Sequence, residues 1–193
     1  MLIAGSDVSG NTIGGGQHRH ISFLIGSEES INKLYNDIHL KEIHMVRLTE
    51  SARKHVQQKL DFRGNDVFAW CFHVEKQHII NHIANHERLH PKNKPRESIF
   101  RHFDYLFLQQ FKEQLEAICY SHKTSLDELT VECDSDMQFT IQNWKMRKKS
   151  RGKAYEIADA IAYFNEKDRK TKGCVDVDLR DKIYRQMEYD LLK

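Results

Sequence analysis

The fold is indicated by a dense run of aromatic and β-branched residues at positions 67–74, VFAWCFHV. A continuous apolar run of this length is typical of a buried strand. Two further strands are predicted before it, at 2–8 and around 20–26, joined through the glycine turn at 14–16 as an opening hairpin. The first part of the chain therefore predicts several strands of one sheet.

Helices are predicted between and after these strands, where apolar residues recur at spacings of three and four. One more short strand is expected at 129–133. Strands that come first, followed by alternating strands and helices and then by two closing helices, predict an α/β fold with a mixed β-sheet flanked by α-helices. The predicted helices cover 28–38, 49–60, 76–90, 98–118, 154–168 and 179–192.

Length and composition predict a single domain. The chain has 193 residues, of which 39% are hydrophobic and 30% charged, enough apolar material for one sizeable core. We expect one domain over residues 1–193, in which 76–97 form a helical insertion and loop and 174–193 form a C-terminal helix.

Cysteine usage and the lack of long apolar segments predict the compartment. The four cysteines are far apart, which favours reduced thiols over a disulfide framework. The N-terminus lacks a signal-peptide core, and no stretch approaches the roughly 18 apolar residues that a membrane span requires. We therefore expect a cytoplasmic protein without a membrane partner.

Four acidic residues fall at predicted strand ends or on a predicted sheet-facing helix: Asp7, Glu42, Asp134 and Asp159. Asp159 is surrounded by the apolar residues of 157–162, and a carboxylate held against a core is costly unless it is paired or bound to metal. Converging carboxylates are what two-metal phosphoryl transfer requires. For any one of them alone, a cap, a turn or a surface charge is the alternative.

Four motifs in this order resemble an uncharacterised prokaryotic family of the ribonuclease H-like superfamily. They are DVSG at 7–10, EIH at 42–44, DS at 134–135 and ADAIAY at 158–163. The resemblance covers residues 1 to about 165. It implies a ribonuclease H-like fold and a nuclease-like site in which Asp7, Glu42, Asp134 and Asp159 bind Mg²⁺ or Mn²⁺ and carry catalysis.

The sequence departs from that family at two positions. The family typically opens with Asp-Glu-Ser-Gly and closes with Gln-x-x-Ala-Asp, so Val8 stands where Glu is usual and Glu156 where Gln is usual. Glu156 would add a ligand or merely cap the site. Together with His44 and Asp136, it is an accessory candidate.

A basic tract, WKMRKKSRGK at 144–153, lies between the third and fourth carboxylates and holds six basic residues and no acidic one. A solvated loop or helix end is one interpretation. The functional interpretation is contact with phosphates beside the metal site, with an aromatic side chain for base stacking, which predicts a nucleic-acid partner. The candidate nucleic-acid-binding residues are Trp144, Lys145, Arg147, Lys148, Lys149, Arg151 and Lys153.

Histidines form a second pattern, with His78, His82, His86 and His90 at every fourth residue. Each step drifts about 40° around a helix, so the four cannot face one ion, and we interpret them as a polar flank. His44, beside Glu42, either positions water or phosphate or makes a structural hydrogen bond.

These features favour a divalent-metal-dependent nuclease that acts on phosphodiester bonds of DNA or RNA. The alternative is a non-catalytic nucleic-acid-binding or assembly module that retains the fold. Nucleotide hydrolysis is less favoured, because no Gly-rich phosphate loop with a lysine follows the first strand.

Overall fold

The described part of the protein is a β-sheet covered by α-helices. The computed structural model describes residues 1–9, 18–64, 66–75, 77–78, 81, 111–134, 147–167 and 169–179. The strands are β1 (Leu2–Ser9), β2 (His18–Ser27), β3 (Val67–Glu75), β4 (Thr130–Glu132), β5 (Arg147–Lys149) and β6 (Val175–Asp178). The helices are α1 (Glu28–Asn36), α2 (Glu50–Lys59), α3 (residues 111–121) and α4 (Lys153–Glu166).

The strands form one six-stranded mixed sheet in the order β5-β4-β1-β2-β3-β6. Strands β1, β2 and β3 pair antiparallel as a meander, with Leu2 opposite Ser27 at one end of the first pair. Strand β4 runs parallel to β1, β5 parallel to β4, and β6 parallel to β3. The predicted fold class, an α/β fold with a mixed β-sheet flanked by α-helices, is confirmed.

Each face of the sheet packs against different helices, because successive strand residues point to opposite sides. Leu2 and Ala4 of β1 join the core that includes α3, whereas Ile3 joins the core that includes α1, α2 and α4. The odd-numbered residues of β1, including Asp7, therefore face the layer that contains α4.

Hydroxyl side chains begin the first two helices. Ser27 Oγ accepts a hydrogen bond from the backbone N–H of Ser30 at 3.0 Å, and Thr49 Oγ1 accepts one from Ala52 at 3.3 Å. Such N-caps satisfy amides that have no partner inside the helix. Helix α2 thus starts at the threonine from which the sequence predicts it.

Helix α4 lies directly on the backbone of β1 and β2. A Cβ atom at Gly5 would overlap the carbonyl group of Ala154, so the close approach requires glycine at this position. Ser22 Oγ donates to the carbonyl of Ala158 at 2.7 Å, and Ser9 Oγ donates to that of Ala162 at 3.1 Å. These contacts fix the helix along the sheet.

Two expectations are wrong in part. Residues 174–193 do not all form a helix, since Val175–Asp178 is strand β6. The alternation Val-Asp-Val-Asp has the period of a strand, and it pairs with the edge of β3. In the basic tract, Arg147–Lys149 is strand β5 beside β4 rather than a loop or helix end.

Several predicted elements lie partly outside the described residues. Residues 111–118 are helical as predicted, and this helix continues to 121; residues 77–78 and 81 are also helical as predicted. The remainder of 76–97, of 98–118 and of the C-terminal segment after 179 lies outside them. Among the described helices, none is both long and apolar enough to cross a membrane.

Candidate active site

Asp7 lies near the end of β1 on the face that carries α4, and it is only 5% exposed. The Val8 backbone and the Tyr155 hydroxyl lie close enough to its carboxylate to favour a lower pKa. Burial, followed by the charges of Asp159 and Asp134, nevertheless raises the pKa of Asp7 to about 7. The carboxyl group thus sits where negative charge is only partly compensated.

Asp134 approaches Asp7 because of strand register. Gly5 of β1 is paired with Glu132 of the parallel strand β4, and Asp7 and Asp134 each lie two residues further on. Neighbouring strands are about 4.8 Å apart, so side chains at equivalent positions on the same face meet. The predicted strand-end location of both residues explains their proximity.

Asp159 comes from α4, one turn after Tyr155, with 18% of its side chain exposed. Its Oδ2 accepts a hydrogen bond from the backbone of Met45 at 3.2 Å and lies 3.7 Å from His44 Nδ1. Burial raises the pKa of Asp159 despite the opposing effects of these two neighbours. The charges of Asp134 and Asp159 each act on Asp7, and these three residues are called the aspartate cluster below.

Glu42 lies on a loop and not at a strand end. It is exposed on the loop before a 3₁₀ turn at Met45–Arg47, and its charge acts on Tyr35. The expectation that Glu42 lies at a strand end is wrong, because buried Ile43 and Met45 take the inward positions of this loop.

Glu156 anchors that loop. Its Oε2 accepts hydrogen bonds from the Ile43 backbone at 2.7 Å and from the Tyr35 hydroxyl at 2.5 Å. From α2, Arg53 Nε donates to the carbonyl of Met45 at 2.8 Å. The glutamate that departs from the family pattern is thus engaged in holding the loop against α4.

Glu132, the acidic neighbour of Asp134 at the predicted strand end, has a structural role that the sequence does not predict. It is 3% exposed, and Oε2 accepts a hydrogen bond from the backbone of Ala154 at 2.8 Å, in the first turn of α4. Lys149 Nζ donates to its other oxygen at 3.0 Å. Gly152, at the helix N-cap, leaves room for this carboxylate. The sequence signal that would point to this role is Gly152: a glycine at the start of a predicted helix has no side chain to cap it, so another residue must supply the acceptor.

The basic side chains of the tract at 144–153 differ in the contacts that they make within the protein. Lys149 pairs with Glu132, and Lys153 Nζ donates to Asn36 at 3.3 Å. The Arg151 guanidinium lies over the Tyr155 ring, 5.4 Å from its centroid, and its charge acts on Asp159. Arg147 is exposed. Trp144, Lys145 and Asp136 lie outside the described residues, as does the side chain of Lys148.

The predicted histidines have separate surroundings. His44 Nδ1 is buried and makes no hydrogen bond to the residues that the structure describes, with Asp159 as its ion-pair neighbour. His78 pairs with Glu75 at 3.2 Å. His82, His86 and His90 lie outside the described residues.

Carboxylate oxygens are the ligands that Mg²⁺ and Mn²⁺ prefer, and the aspartate cluster would supply them. Burial and then the charges of Asp159 and Asp134 raise the pKa of Asp7, and a cation would neutralise that charge. Within the described ranges, no three His, Cys, Asp or Glu side chains are placed so that they could hold a metal ion. The three aspartates therefore match a divalent cation in donor chemistry and charge, but their side chains are not arranged as a ligand set.

The comparisons with known proteins concern the fold. No protein-family model matches the sequence, and neither does any curated protein. The chain is similar to the ribonuclease HII in a PCNA complex from Archaeoglobus fulgidus, at 14% identity and a TM-score of 0.48. It is also similar to ribonuclease H2 from Pyrococcus horikoshii OT3, at 14% identity and a TM-score of 0.49. Each alignment covers 88% of this chain and 74% of the other. At this identity, neither structure assigns a role to any residue.

Proposed function

We propose that this protein is a divalent-metal-dependent nuclease that hydrolyses phosphodiester bonds of DNA or RNA with Mg²⁺ or Mn²⁺. The observation that carries the proposal is the position of Asp7, a carboxylate 5% exposed whose neighbours Asp159 and Asp134 are also carboxylates. Grouping like charges in a buried place is unfavourable in the absence of a cation. A cation that binds there would relieve the repulsion.

In this proposal the three aspartates hold the cation, and Glu42 has no part in it because it is exposed and acts on Tyr35. When bound, the metal would supply charge stabilisation and water activation for phosphodiester hydrolysis. The protein would contribute the orientation of its carboxylates: the Met45 amide donates to Asp159, and the Tyr155 hydroxyl lies near Asp7. Nucleic acid would enter from the side of Arg151 and the exposed Arg147.

A cleavage assay tests the proposal. Labelled single-stranded DNA, double-stranded DNA, RNA and hybrid would be incubated with the protein in Mg²⁺, Mn²⁺ or EDTA. We expect cleavage that EDTA abolishes and that Asp7→Asn and Asp159→Asn each reduce by at least about a hundredfold, because the charge that binds metal is lost. Asp37→Asn, an exposed carboxylate at the end of α1, is the matched control and should cleave like the wild type.

Thermal melts separate loss of metal from loss of fold. Mn²⁺ should raise the melting temperature of the wild type and of Asp37→Asn, since a ligand that binds only the native state stabilises it. An undiminished rise in Asp159→Asn would show that this residue is not a ligand. Binding of oligonucleotides without cleavage in any cation would instead favour the non-catalytic module.

A further inference from the structure

Tyr155 occupies the junction between the basic tract and the aspartate cluster. It lies in the first turn of α4, one turn before Asp159 on the same face of the helix. The opposite charges of Arg151 and of the aspartate cluster both act on its hydroxyl. One half-buried side chain therefore lies between the arginine and the carboxylates.

The ring of Tyr155 supports Arg151. The guanidinium carbon lies 5.4 Å from the ring centroid, within the range of a cation–π contact. At an exposed site such a contact favours one pose of the arginine by about two- to fivefold. The exposed guanidinium is thereby kept over the Tyr155 ring more often than in other positions.

Arg151 also differs from its neighbours in what its donors do. Lys149 donates to Glu132, and Lys153 donates to Asn36. Among the residues that the structure describes, none accepts a hydrogen bond from Arg151, whose contact is with a ring face. A guanidinium has five N–H donors in a planar fork that fits a phosphate bidentately. Those donors are available to a ligand.

We propose that Tyr155 is a positioning residue that holds Arg151 at the aspartate cluster, where the guanidinium binds a phosphate of the nucleic-acid strand. The identity of this ligand rests on the proposed nuclease function. The hydroxyl and the ring have separable tasks: the hydroxyl orients Asp7, and the ring places the phosphate-binding cation. Bound phosphate would thus be brought next to the carboxylates.

The test begins with metal-free binding of a fluorescein-labelled oligonucleotide, measured in EDTA over a range of salt. Arg151→Ala should weaken affinity about tenfold at low salt and lower the slope of log K against log salt by about one. Tyr155→Leu should weaken affinity about two- to fivefold. The double variant with Arg151→Ala should bind as tightly as Arg151→Ala alone, because the tyrosine acts through the arginine. Arg151→Lys should keep the slope but lose affinity, since it keeps the charge without the fork. Lys112→Ala, an exposed basic residue on α3, is the control and should match the wild type.

Cleavage kinetics then separate the two tasks of Tyr155. Tyr155→Phe keeps the ring, so KM should stay within about twofold while kcat falls about tenfold. Arg151→Ala should raise KM about tenfold instead. Thermal melts first establish that the variants are folded. If Tyr155 has only a structural role, its substitution should then alter neither kcat nor KM selectively.

Three results would overturn the proposal: a wild-type salt slope in Arg151→Ala, independent losses in the double variant, or no measurable binding by the wild type. If the wild type cleaves but any of the first two results is found, only this inference fails. If the binding cycle behaves as expected while no cation supports cleavage, the nuclease proposal fails, whereas the pairing of Tyr155 with Arg151 is supported.

Discussion

Glu132 of β4 caps the helix that carries Asp159, through a hydrogen bond of 2.8 Å from the amide of Ala154. Glu132→Ala should lower the free energy of unfolding by about 1–3 kcal/mol, because buried amides lose their acceptor. Urea unfolding at neutral pH measures the change. Lys149→Ala removes the exposed partner of the same carboxylate and should cost less than about 1 kcal/mol. Equal losses in the two variants would contradict the capping role.

Gly5→Ala should destabilise the protein by about 2 kcal/mol or more, because the new methyl group would overlap the carbonyl of Ala154 and push α4 from the sheet. Gly64→Ala is the comparison, because an added methyl group at Gly64 would meet no other atom. The only cost there is the positive φ of 71°, which an alanine adopts less readily than a glycine. This substitution should cost about 1 kcal/mol. Thermal melts of both variants check the expectation, and a Gly5→Ala protein as stable as Gly64→Ala would refute the close contact.

Asp7→Asn should stabilise the metal-free protein at neutral and alkaline pH. The pKa of Asp7 is about 7 in the folded protein against an ordinary value of 3.8, so its favourable contribution is complete below 3.8 and is lost as the pH rises through 7. The difference between variant and wild type should therefore grow from pH 4 to pH 8, by up to about 4 kcal/mol. Urea unfolding in EDTA at several pH values measures it, with Asp37→Asn as the control. A difference that is independent of pH would contradict the burial of a charged Asp7.

Glu156→Ala should loosen the loop that precedes the 3₁₀ turn. The variant leaves the amide of Ile43 and the hydroxyl of Tyr35 without their acceptor, at a cost of about 1–3 kcal/mol. Limited trypsin digestion should then cut faster after Lys41 and Arg47, which are exposed on either side of Ile43. Glu113→Ala, on the exposed side of α3, should leave the digestion pattern unchanged. Unaltered cleavage in Glu156→Ala would mean that other contacts hold the loop.

Much of the fold is predictable because it is encoded locally. The apolar run at 67–74 and the hydroxyl cap at Thr49 each act within a few residues, and both predict elements that the structure contains. Strand β6 escapes prediction because an alternation of four residues gains its stability only from pairing with β3. Its pattern alone does not compete with the helical signal of the residues after it.

The site is predictable only where strand ends determine it. The proximity of Asp7 and Asp134 follows from parallel pairing, which the sequence suggests through two short strands that end in acids. By contrast, the cap that Glu132 provides and the contact of Tyr155 with Arg151 depend on how α4 meets the sheet. Glu42 and Asp159 are both candidate ligands from the sequence, yet Glu42 is exposed whereas Asp159 accepts a hydrogen bond from the Met45 backbone.

Helix α4 packs directly against the backbone of β1 where Gly5 meets Ala154, so no layer of side chains separates the helix from the sheet at this point. The backbone segments that carry Asp7 and Asp159 are also linked by the hydroxyl of Ser22, which lies within hydrogen-bond distance of the carbonyls of Asp7 and Ala158. In the proposed metal site, adjustment to a cation would therefore come from rotation of the carboxylates or from the loop at 41–47. Binding would then require little reorganisation of the main chain, and most of the attraction would be retained as affinity.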